Sequence, residues 1–296
     1  MRYRPGPGST VESWLLLAPF LLGVTVLVAG PALLTVALSL YESDLVQASV
    51  FRGWGNFGEL VDDQIFLTAV RNSLIYVGGA VPLRTLAAVG LALLLQPRFR
   101  GASAYRTASY LPTVIPDVSF ALAFLWILNP LYGPLNLALG AIGVPGPAWL
   151  SDPWAARAGL VLISVFTIGE GFLIATAARR EIPTENYELA ALEGAGPAQT
   201  LRRVTLPLLG PTLILLLLRD TIYSFQTSFV PALVITEGGP PEYATTFLPH
   251  FIYRNGFEYL RFGYAAAATV VTLVVTALLI GVQYLVLRRW RYARVA

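Results

Sequence analysis

The amino-acid sequence predicts an all-α membrane protein with six transmembrane helices. One observation is composition: 56% of the 296 residues are hydrophobic and only 12% are charged, which is too apolar for a soluble domain. Another is a series of six apolar stretches, each long enough to cross a hydrocarbon layer of about 30 Å as a helix. The last is an uneven distribution of arginine between the segments that connect those stretches.

The predicted spans are separated by polar or turn-rich segments. They cover residues 14–40, 71–95, 104–128, 155–178, 206–229 and 263–287. The apolar stretch nearest the N-terminus is too long for a signal-peptide core and lacks a clear cleavage site, so it is interpreted as a span. The predicted organisation is a cytoplasmic tail, a first span with an outer segment, a core and a basic cytoplasmic tail. These four parts cover residues 1–13, 14–70, 71–287 and 288–296.

Arginine content orients the predicted spans. Thirteen arginines fall in the segments on one side of the membrane, and five fall in the segments on the other side, where they are mixed with acids. The positive-inside rule therefore predicts that both termini are cytoplasmic, with Arg294 inside and Asp62 outside. The outer segments are expected to hold a short interfacial helix at 58–69 and a turn-rich loop with a short helix at 129–152. Trp149 and Trp154 are the expected interfacial anchors.

The residues that are absent exclude several classes of chemistry. The chain has no cysteine, which excludes disulfides and thiolate metal sites. Its one histidine, His250, leaves little scope for zinc and is interpreted as a polar loop residue. The sequence contains no lysine, and a phosphate-binding P-loop requires one. We therefore expect no metal, no cofactor and no ATP hydrolysis by this route within the chain itself. The basic isoelectric point comes from loop arginines and does not indicate nucleic-acid binding.

A patterned polar segment interrupts the apolar spans between Arg179 and Pro211. Pro183 ends the preceding helix, because proline cannot continue the hydrogen-bond ladder. Residues 185–192 are predicted to form a short helix capped by residue 184 or 185. The Gly-Ala-Gly-Pro sequence at 194–197 then breaks that helix, and residues 199–204 form a second one. A helix–turn–helix between two membrane spans is expected to dock another protein.

This segment resembles the EAA loop of ATP-binding-cassette (ABC) importer permeases. The family pattern is E-A-A, D-G-A and, thirteen residues after the glycine, L-P. The chain departs from it at Leu189, where alanine is usual, and at Glu193, where aspartate is usual. The alternative interpretation is an ordinary cytoplasmic loop. The matching residues are Glu188-Leu189-Ala190, Glu193-Gly194-Ala195 and Leu206-Pro207.

The resemblance implies a type I ABC importer permease fold in the bacterial inner membrane and a coupling loop at 179–206. It implies four kinds of partner: a homologous second permease, two cytoplasmic ATP-binding subunits, an extracytoplasmic solute-binding protein and a transported solute. The residues implied in coupling to the ATPase are Glu188, Ala190, Glu193, Gly194 and Pro207.

A second resemblance concerns the transported solute. Residues 236–240, Thr-Glu-Gly-Gly-Pro, resemble the T-x-G-G-P of sugar permeases of the maltose type, and residues 253–265 continue the likeness to the F-type subunit. The resemblance implies import of a sugar or oligosaccharide. The alternative solute is glycerol 3-phosphate or another small polar molecule, which arginines would suit. A membrane-embedded enzyme is a further alternative, but the sequence holds no G-x-S-x-G, no H-E-x-x-H and no paired metal ligands.

Five ionisable residues lie well inside the predicted spans, where each costs about 2.5–3.5 kcal/mol and therefore indicates a partner or a wet cavity. In the fifth span, the spacing places Arg219, Tyr223 and Gln226 on one face. Their side chains suit a sugar, with Tyr223 offering a ring face. The alternative is an internal pair between Arg219 and an acid that joins helices. The expected substrate-pathway residues are Glu170, Arg219, Asp220, Tyr223 and Gln226.

Three of these five ionisable residues have expected partners. Glu170 lies between Gly169 and Gly171, which permit close helix approach, so it is expected to face the same cavity or to pair with Arg219. Arg84 and Asp117 lie in consecutive spans and are expected to form a structural ion pair.

Overall fold

A computed structural model describes residues 7–44, 48–95, 101–239 and 241–292. Pro240 and Arg294, which belong to predictions made above, therefore lie outside the described residues. So do four of the thirteen arginines counted on one side of the membrane together with Arg294, namely Arg2, Arg4, Arg98 and Arg100. The chain divides into two compact units. One comprises Met1–Asp62 and Ile252–Thr272, and the other comprises Asp63–Phe251 and Leu273–Ala296.

The smaller unit contains the first span and the outer segment that follows it. Its helical part is continuous, and Val11–Leu38 is long and apolar enough to cross a membrane, in agreement with the predicted span 14–40. The elements are α1 (Pro7–Val24), a π-helical turn (Thr25–Ala29), α2 (Gly30–Leu38), β1 (Tyr41–Glu42), β2 (Val50–Phe51) and α3 (Gly55–Asp62). A π-helical turn at Arg254–Glu258 and the beginning of the last helix, α15 (Phe262–Tyr292), complete it.

Polar contacts hold the outer segment together. Strand β1 pairs antiparallel with β2, and the buried Asn56 donates hydrogen bonds from Nδ2 to the carbonyl oxygens of Ser39 (2.8 Å) and Tyr41 (2.9 Å). Glu59 accepts hydrogen bonds from Arg52 and Arg261. Partial burial raises the pKa of Glu59, but the two arginines outweigh it and hold that pKa below its ordinary value.

The interfacial helix predicted at 58–69 is wrong in its bounds. Helix α3 ends at Asp62, and Asp63 caps a new helix by accepting hydrogen bonds at Oδ1 from the backbone N–H groups of Ile65 (2.8 Å) and Phe66 (3.1 Å). The reason is local, because an aspartate at this position satisfies donors that a helix leaves unpaired.

Gly263 allows the start of α15 to lie against the outer segment. A Cβ at this position would collide with the carbonyl oxygen of Tyr41. We expect Gly263→Ala to lower the free energy of unfolding by about 1–3 kcal/mol, the usual cost of overpacking. Gly281→Ala is the matched control on the same helix, since its added Cβ would meet nothing within 4 Å. Thermal unfolding of the purified variants checks this, and equal midpoints would contradict it.

The larger unit is built on the second span. Its helices are α4 (Gln64–Leu94), α5 (Ala102–Tyr110), α6 (Asp117–Ile127), α7 (Pro134–Ala141), α8 (Pro153–Ser164), α9 (Gly169–Arg180), α10 (Thr184–Leu192), α11 (Pro197–Thr200), α12 (Leu206–Thr227), α13 (Phe229–Thr236) and α14 (Leu248–Tyr253). Short 3₁₀ turns lie at Leu111–Val114 and Val165–Thr167, and a π-helical turn lies at Leu201–Thr205.

Small residues bring the central helices of this unit close together. A buried core cluster joins α4, α9 and α12. A Cβ at Gly171 of α9 would lie 3.4 Å from Cβ of Ala88 and 3.7 Å from Leu216. Glycine and alanine at such positions let helix backbones approach, which is typical of helix packing in membranes. The cluster consists of Ala88, Val89, Ala92, Phe172, Ala175 and Leu216.

The described residues contain four single helices that could span a membrane and two bent pairs. The single helices are Val11–Leu38, Gln64–Leu94, Pro197–Thr227 and Phe262–Arg288. The pair Ser103–Val114 and Asp117–Ile127 is bent by 100°, and the pair Pro153–Thr167 and Gly169–Arg180 is bent by 48°. The six predicted spans are recovered when each bent pair counts as one span.

The two bends lie against each other. The first contains Pro112 and Pro116, which interrupt the hydrogen-bond ladder. The second ends at Gly169, where a Cβ would collide with Thr113 and crowd Tyr110 on the other bent span. The breaks in spans three and four are therefore next to each other. The candidate site lies beside them.

Hydrogen bonds fasten the loop that follows α13 to α4 and α8. Asn72 donates from Nδ2 to the carbonyl oxygen of Tyr243 (2.7 Å), and Arg157 donates to Asn72 Oδ1 (3.0 Å). Gly238 has φ +67°, the left-handed backbone conformation that a tight turn at a glycine adopts. His250 corrects the sequence interpretation, because it is buried on α14 and not in a loop. The predicted short helix in 129–152 is α7.

Candidate functional site

Four charged side chains form a chain across the middle of the larger unit. Arg84 of α4 lies 3.8 Å from Oδ1 of Asp220 on α12, measured from its Nη2 atom. The same Oδ1 atom accepts a hydrogen bond of 3.0 Å from Nη1 of Arg219. Nη2 of Arg219 in turn binds Oε2 of Glu170 on α9. The charges thus alternate, and three different helices are joined through them.

Exposure changes along this chain of charges. The side chains of Arg84 and Asp220 are 2% and 4% exposed, whereas those of Arg219 and Glu170 are 26% and 51% exposed. One end is therefore a buried ion pair, and the other end faces open space. The expected pairing of Glu170 with Arg219 is present.

Tyr223 lies beside both arginines. The guanidinium carbon of Arg84 is 4.5 Å from the centroid of its ring, and that of Arg219 is 5.2 Å away. Cation–π contacts of this kind fix the ring and cover it. We expected the ring face of Tyr223 to contact a sugar, but guanidinium groups already contact that ring. Gln226, the next member of the predicted stripe, is exposed.

The predicted ion pair between Arg84 and Asp117 is wrong. Among the described residues, the acid that pairs with Arg84 is Asp220. The 100° bend places Asp117 at the beginning of the half-helix α6, where its carboxylate is exposed. An acid in the first turn of a helix is stabilised by the helix dipole and by free N–H groups, so Asp117 requires no cation there.

A small cavity with both polar and apolar walls lies between Arg84 and Asp117. Its volume is about 30 Å³, and it lies where the breaks in spans three and four meet the middle of α4 and the end of α12. Discontinuous helices of this kind line binding sites in transporters. The polar side chains that line it are Tyr76, Arg84, Asp117, Ser164, Thr167, Tyr223 and Thr227.

Sequence reasoning missed part of this site. Arg84 was assigned to a structural pair elsewhere, and Ser164 and Thr167 were not singled out. A usable signal was present, because Arg84 is the only charged residue between Arg71 and Arg98 in a long apolar stretch. Its partner could not be read from the sequence, since that depends on the rotation of α4 about its own axis.

The polar segment after α9 forms the predicted short helix and turn. Helix α10 ends in a Schellman motif, in which the N–H of Gly194 donates to the carbonyl oxygen of Ala191 (3.0 Å) and that of Ala195 donates to Ala190 (2.9 Å). Gly194 has φ +75°, which a residue with a side chain adopts only with strain. Ala190 is 7% exposed and anchors the helix.

The exposed face of α10 presents both apolar and acidic side chains. Leu189 and Leu192 are 59% and 85% exposed, and Glu188 and Glu193 are exposed beside them. Exposed leucines rimmed by acids are typical of a surface that binds another protein. The structure thus places four of the five predicted coupling residues together at this helix and its turn.

Pro207 lies apart from them and corrects one expectation. Residues 199–204 do not form a separate helix, because Pro197–Thr227 is one continuous helical segment of 31 residues. Its ladder widens into a π-helical turn at Leu201–Thr205. Pro207 cannot donate to the carbonyl group of Arg203, and its ring would clash with that group in a regular helix, so the wider turn accommodates it.

Comparisons with known proteins agree with this architecture. Residues 84–292 match the family model described as "Binding-protein-dependent transport system inner membrane component". The probable ABC transporter permease protein YesP of Bacillus subtilis (strain 168) is 32% identical over 269 residues, which cover 89% of this chain and 86% of that protein.

Two further proteins extend the likeness. The maltose/maltodextrin transport system permease protein MalF of Escherichia coli (strain K12) is 34% identical over 256 residues, covering 78% of this chain and 48% of MalF. The match therefore spans about half the length of MalF. A chain from the crystal structure of a bacterial ABC transporter that imports the acidic polysaccharide alginate has a TM-score of 0.79 and 25% identity, over 94% of this chain and 96% of that one.

Proposed function

Because the chain belongs to the family of binding-protein-dependent transport system inner membrane components, we propose that it lines half of the import pathway for an uncharged sugar or oligosaccharide. Its general role follows from the family, as the permease of a binding-protein-dependent ABC importer. The cargo, the pathway residues and the partner chains are the parts proposed.

The observation that carries the choice of cargo is the double pairing of Arg219. This arginine donates to both Asp220 and Glu170, so its charge is already balanced by two acids. A phosphate or carboxylate would be bound best by a guanidinium group with free donors. A sugar hydroxyl needs only donors and acceptors close together, which the pair and Gln226 provide. The relative MalF is named for the transport of maltose and maltodextrin, which also favours this cargo.

The second candidate is a charged cargo, which could be glycerol 3-phosphate or an acidic saccharide. The alginate importer that resembles this chain is named for an acidic polysaccharide. Such a cargo would have to displace Glu170, whose side chain is half exposed, from Arg219.

Uptake into proteoliposomes that contain the importer and its binding protein decides between these cargos. Maltose and trehalose serve as neutral probes, and glycerol 3-phosphate and an alginate disaccharide serve as charged probes. We expect ATP-dependent uptake of a neutral probe. Uptake of the charged probes alone would overturn the proposed cargo.

The proposed partners are a homologous second permease, two ATPase subunits and an extracytoplasmic solute-binding protein. In this proposal α10 docks on an ATPase subunit through its exposed leucines, with Glu188 and Glu193 making charge-assisted contacts. Gly194 holds the turn and Pro207 shapes the helix that follows. ATP is bound by the partners and not by this chain.

Glu188→Arg is expected to uncouple ATP hydrolysis from transport. Glu188 is exposed on α10 and makes no ion pair with a described residue, so its reversal should leave folding unchanged while it places like charges together at the contact. We expect uptake to fall at least about tenfold, the effect of roughly 1.4 kcal/mol. Glu185→Arg, another exposed acid on the same helix, is the control. Normal uptake by Glu188→Arg would contradict the docking proposal.

The orientation of the chain is also testable. We expect a cysteine engineered at position 62 to react with a membrane-impermeant thiol reagent added to intact spheroplasts, and one at position 294 to be protected until the membrane is opened. The background is clean because the chain has no cysteine. The opposite pattern would reverse the orientation, and labelling of both positions would show that the termini lie on different sides.

A further inference from the structure

Arg84 carries a hydrogen-bond donor that the chain of charges does not use. Its Nη2 atom faces Asp220, but its buried Nε–H has no acceptor among the described residues. The whole residue is only 2% exposed. An unsatisfied buried donor on a charged group is costly, so such a donor indicates a binding partner.

The cavity beside Arg84 has the size and polarity to supply that partner. Its volume of about 30 Å³ accommodates one or two water molecules or a single hydroxyl group, and is too small for a sugar ring. Asp117, at the beginning of α6, also lines this cavity. It makes no ion pair with any described residue. Arg84, which carries the unused donor, and Asp117, whose carboxylate makes no ion pair with a described residue, therefore both line one small space.

The local charge disfavours an anion in this space. The two arginines Arg84 and Arg219 are balanced by Asp220 and Glu170 within the chain of charges. Asp117 on the cavity wall is a fifth charge, so two positive and three negative groups leave a net charge of −1. A carboxylate, sulfonate or phosphate group in this space would be repelled by this excess of negative charge.

We propose that the cavity between Arg84 and Asp117 is a subsite for one neutral hydroxyl group of the cargo, filled by water when cargo is absent. A hydroxyl both accepts and donates, so it accepts from Nε–H of Arg84 and donates to the carboxylate of Asp117. Asp117 thereby becomes a specificity-determining residue that rejects acidic cargo. This inference rests on the proposed function and deepens it, since it names the chemical group that is recognised.

Thiol chemistry tests the subsite without any cargo delivery. Thr227→Cys places a single thiol on the cavity wall, because the chain has no other cysteine. Position 227 is only half-buried, so a reagent larger than the cavity can still reach the thiol. In the assembled importer, we compare the rates of modification by 2-hydroxyethyl and 2-sulfonatoethyl methanethiosulfonate, which are neutral and anionic. Ala198→Cys, an exposed position on α11, gives the reference ratio of the two rates.

We expect the neutral reagent to be favoured about tenfold more at position 227 than at position 198, the lower end of the effect of a charged cleft on association. Asp117→Asn should bring the two ratios to within about twofold, whereas Glu181→Gln, an exposed acid after α9, should not change them. An equal or faster reaction of the anionic reagent at position 227, or an unchanged ratio in Asp117→Asn, would overturn the proposal.

Protection of the same thiol tests the hydroxyl group itself. Methyl α-glucoside is expected to slow modification at position 227, and glucuronate at the same concentration is expected to slow it less. Equal protection by both, better protection by glucuronate, or none by either would overturn the subsite. Since no uptake is measured, a failure here is distinct from failure of the proposed cargo, which is decided by transport.

Discussion

Asp220→Asn is expected to remove most of the assembled permease from the membrane. Asp220 is the acid between Arg84 and Arg219, and both it and Arg84 are almost fully buried. Without it Arg219 keeps Glu170, but Arg84 keeps no acid among the described residues. An uncompensated buried charge costs about 3–5 kcal/mol. The measurement is the yield and thermal midpoint of the purified complex.

A second substitution keeps this prediction testable even when the single variant does not assemble. Arg84→Met combined with Asp220→Asn removes the stranded charge together with its former partner. Neutralising both members of a buried pair costs much less than removing one, so we expect the double variant to assemble better than Asp220→Asn. Double-mutant coupling of about zero, or a single variant that melts and transports like the parent, would show that the pair is not a structural unit.

Gly194→Val is expected to abolish binding-protein-stimulated uptake while leaving the permease folded. The φ of +75° costs a residue with a side chain about 1–2 kcal/mol, and β-branched residues most. A Cβ at this position would meet nothing within 4 Å, so the variant relaxes by moving the turn and does not clash. The displaced turn would then misplace α10 on its proposed partner.

Gly196→Val is the matched control for this substitution. Gly196 lies two residues further along, has φ −71° and also has open space around its added Cβ. The same valine there should cost little and leave uptake near that of the parent. Equal uptake by both valine variants would show that the left-handed turn does not matter for coupling. Stimulated ATPase activity, measured in parallel, separates a coupling defect from a loss of protein.

Sequence reasoning located the spans because hydropathy and length are properties of contiguous residues. It also located α10 and its turn, since a glycine followed by proline at that spacing permits few local structures. The pairing of Glu170 with Arg219 was one of two outcomes left open, and the flanking glycines were the signal for it. The pathway and coupling roles of these residues remain predictions.

The partner of Arg84 could not be predicted in the same way. Which acid faces an arginine depends on how a helix is rotated and where its neighbours bend. The bend in span three places Asp117 at a helix start, and Pro112 and Pro116 were visible signals for it that were not used. The bend in span four has no proline inside it, and Gly169 is required by the approach of Thr113 and Tyr110, a contact between distant residues.

The unbroken helix from Pro197 to Thr227 makes this part of the protein a lever. At 1.5 Å per residue it is about 45 Å long, with the turn after α10 at one end and Asp220 near the other. A stiff rod transmits displacement with little loss, so under the proposed coupling a push on α10 would reach Asp220, the acid that holds Arg84 and Arg219. The π-helical turn at Leu201–Thr205 interrupts the regular hydrogen bonding, so we expect the helix to bend or twist most easily there. In the proposed coupling, the docking helix α10 and Asp220 would therefore move together, although they lie at opposite ends of this helix.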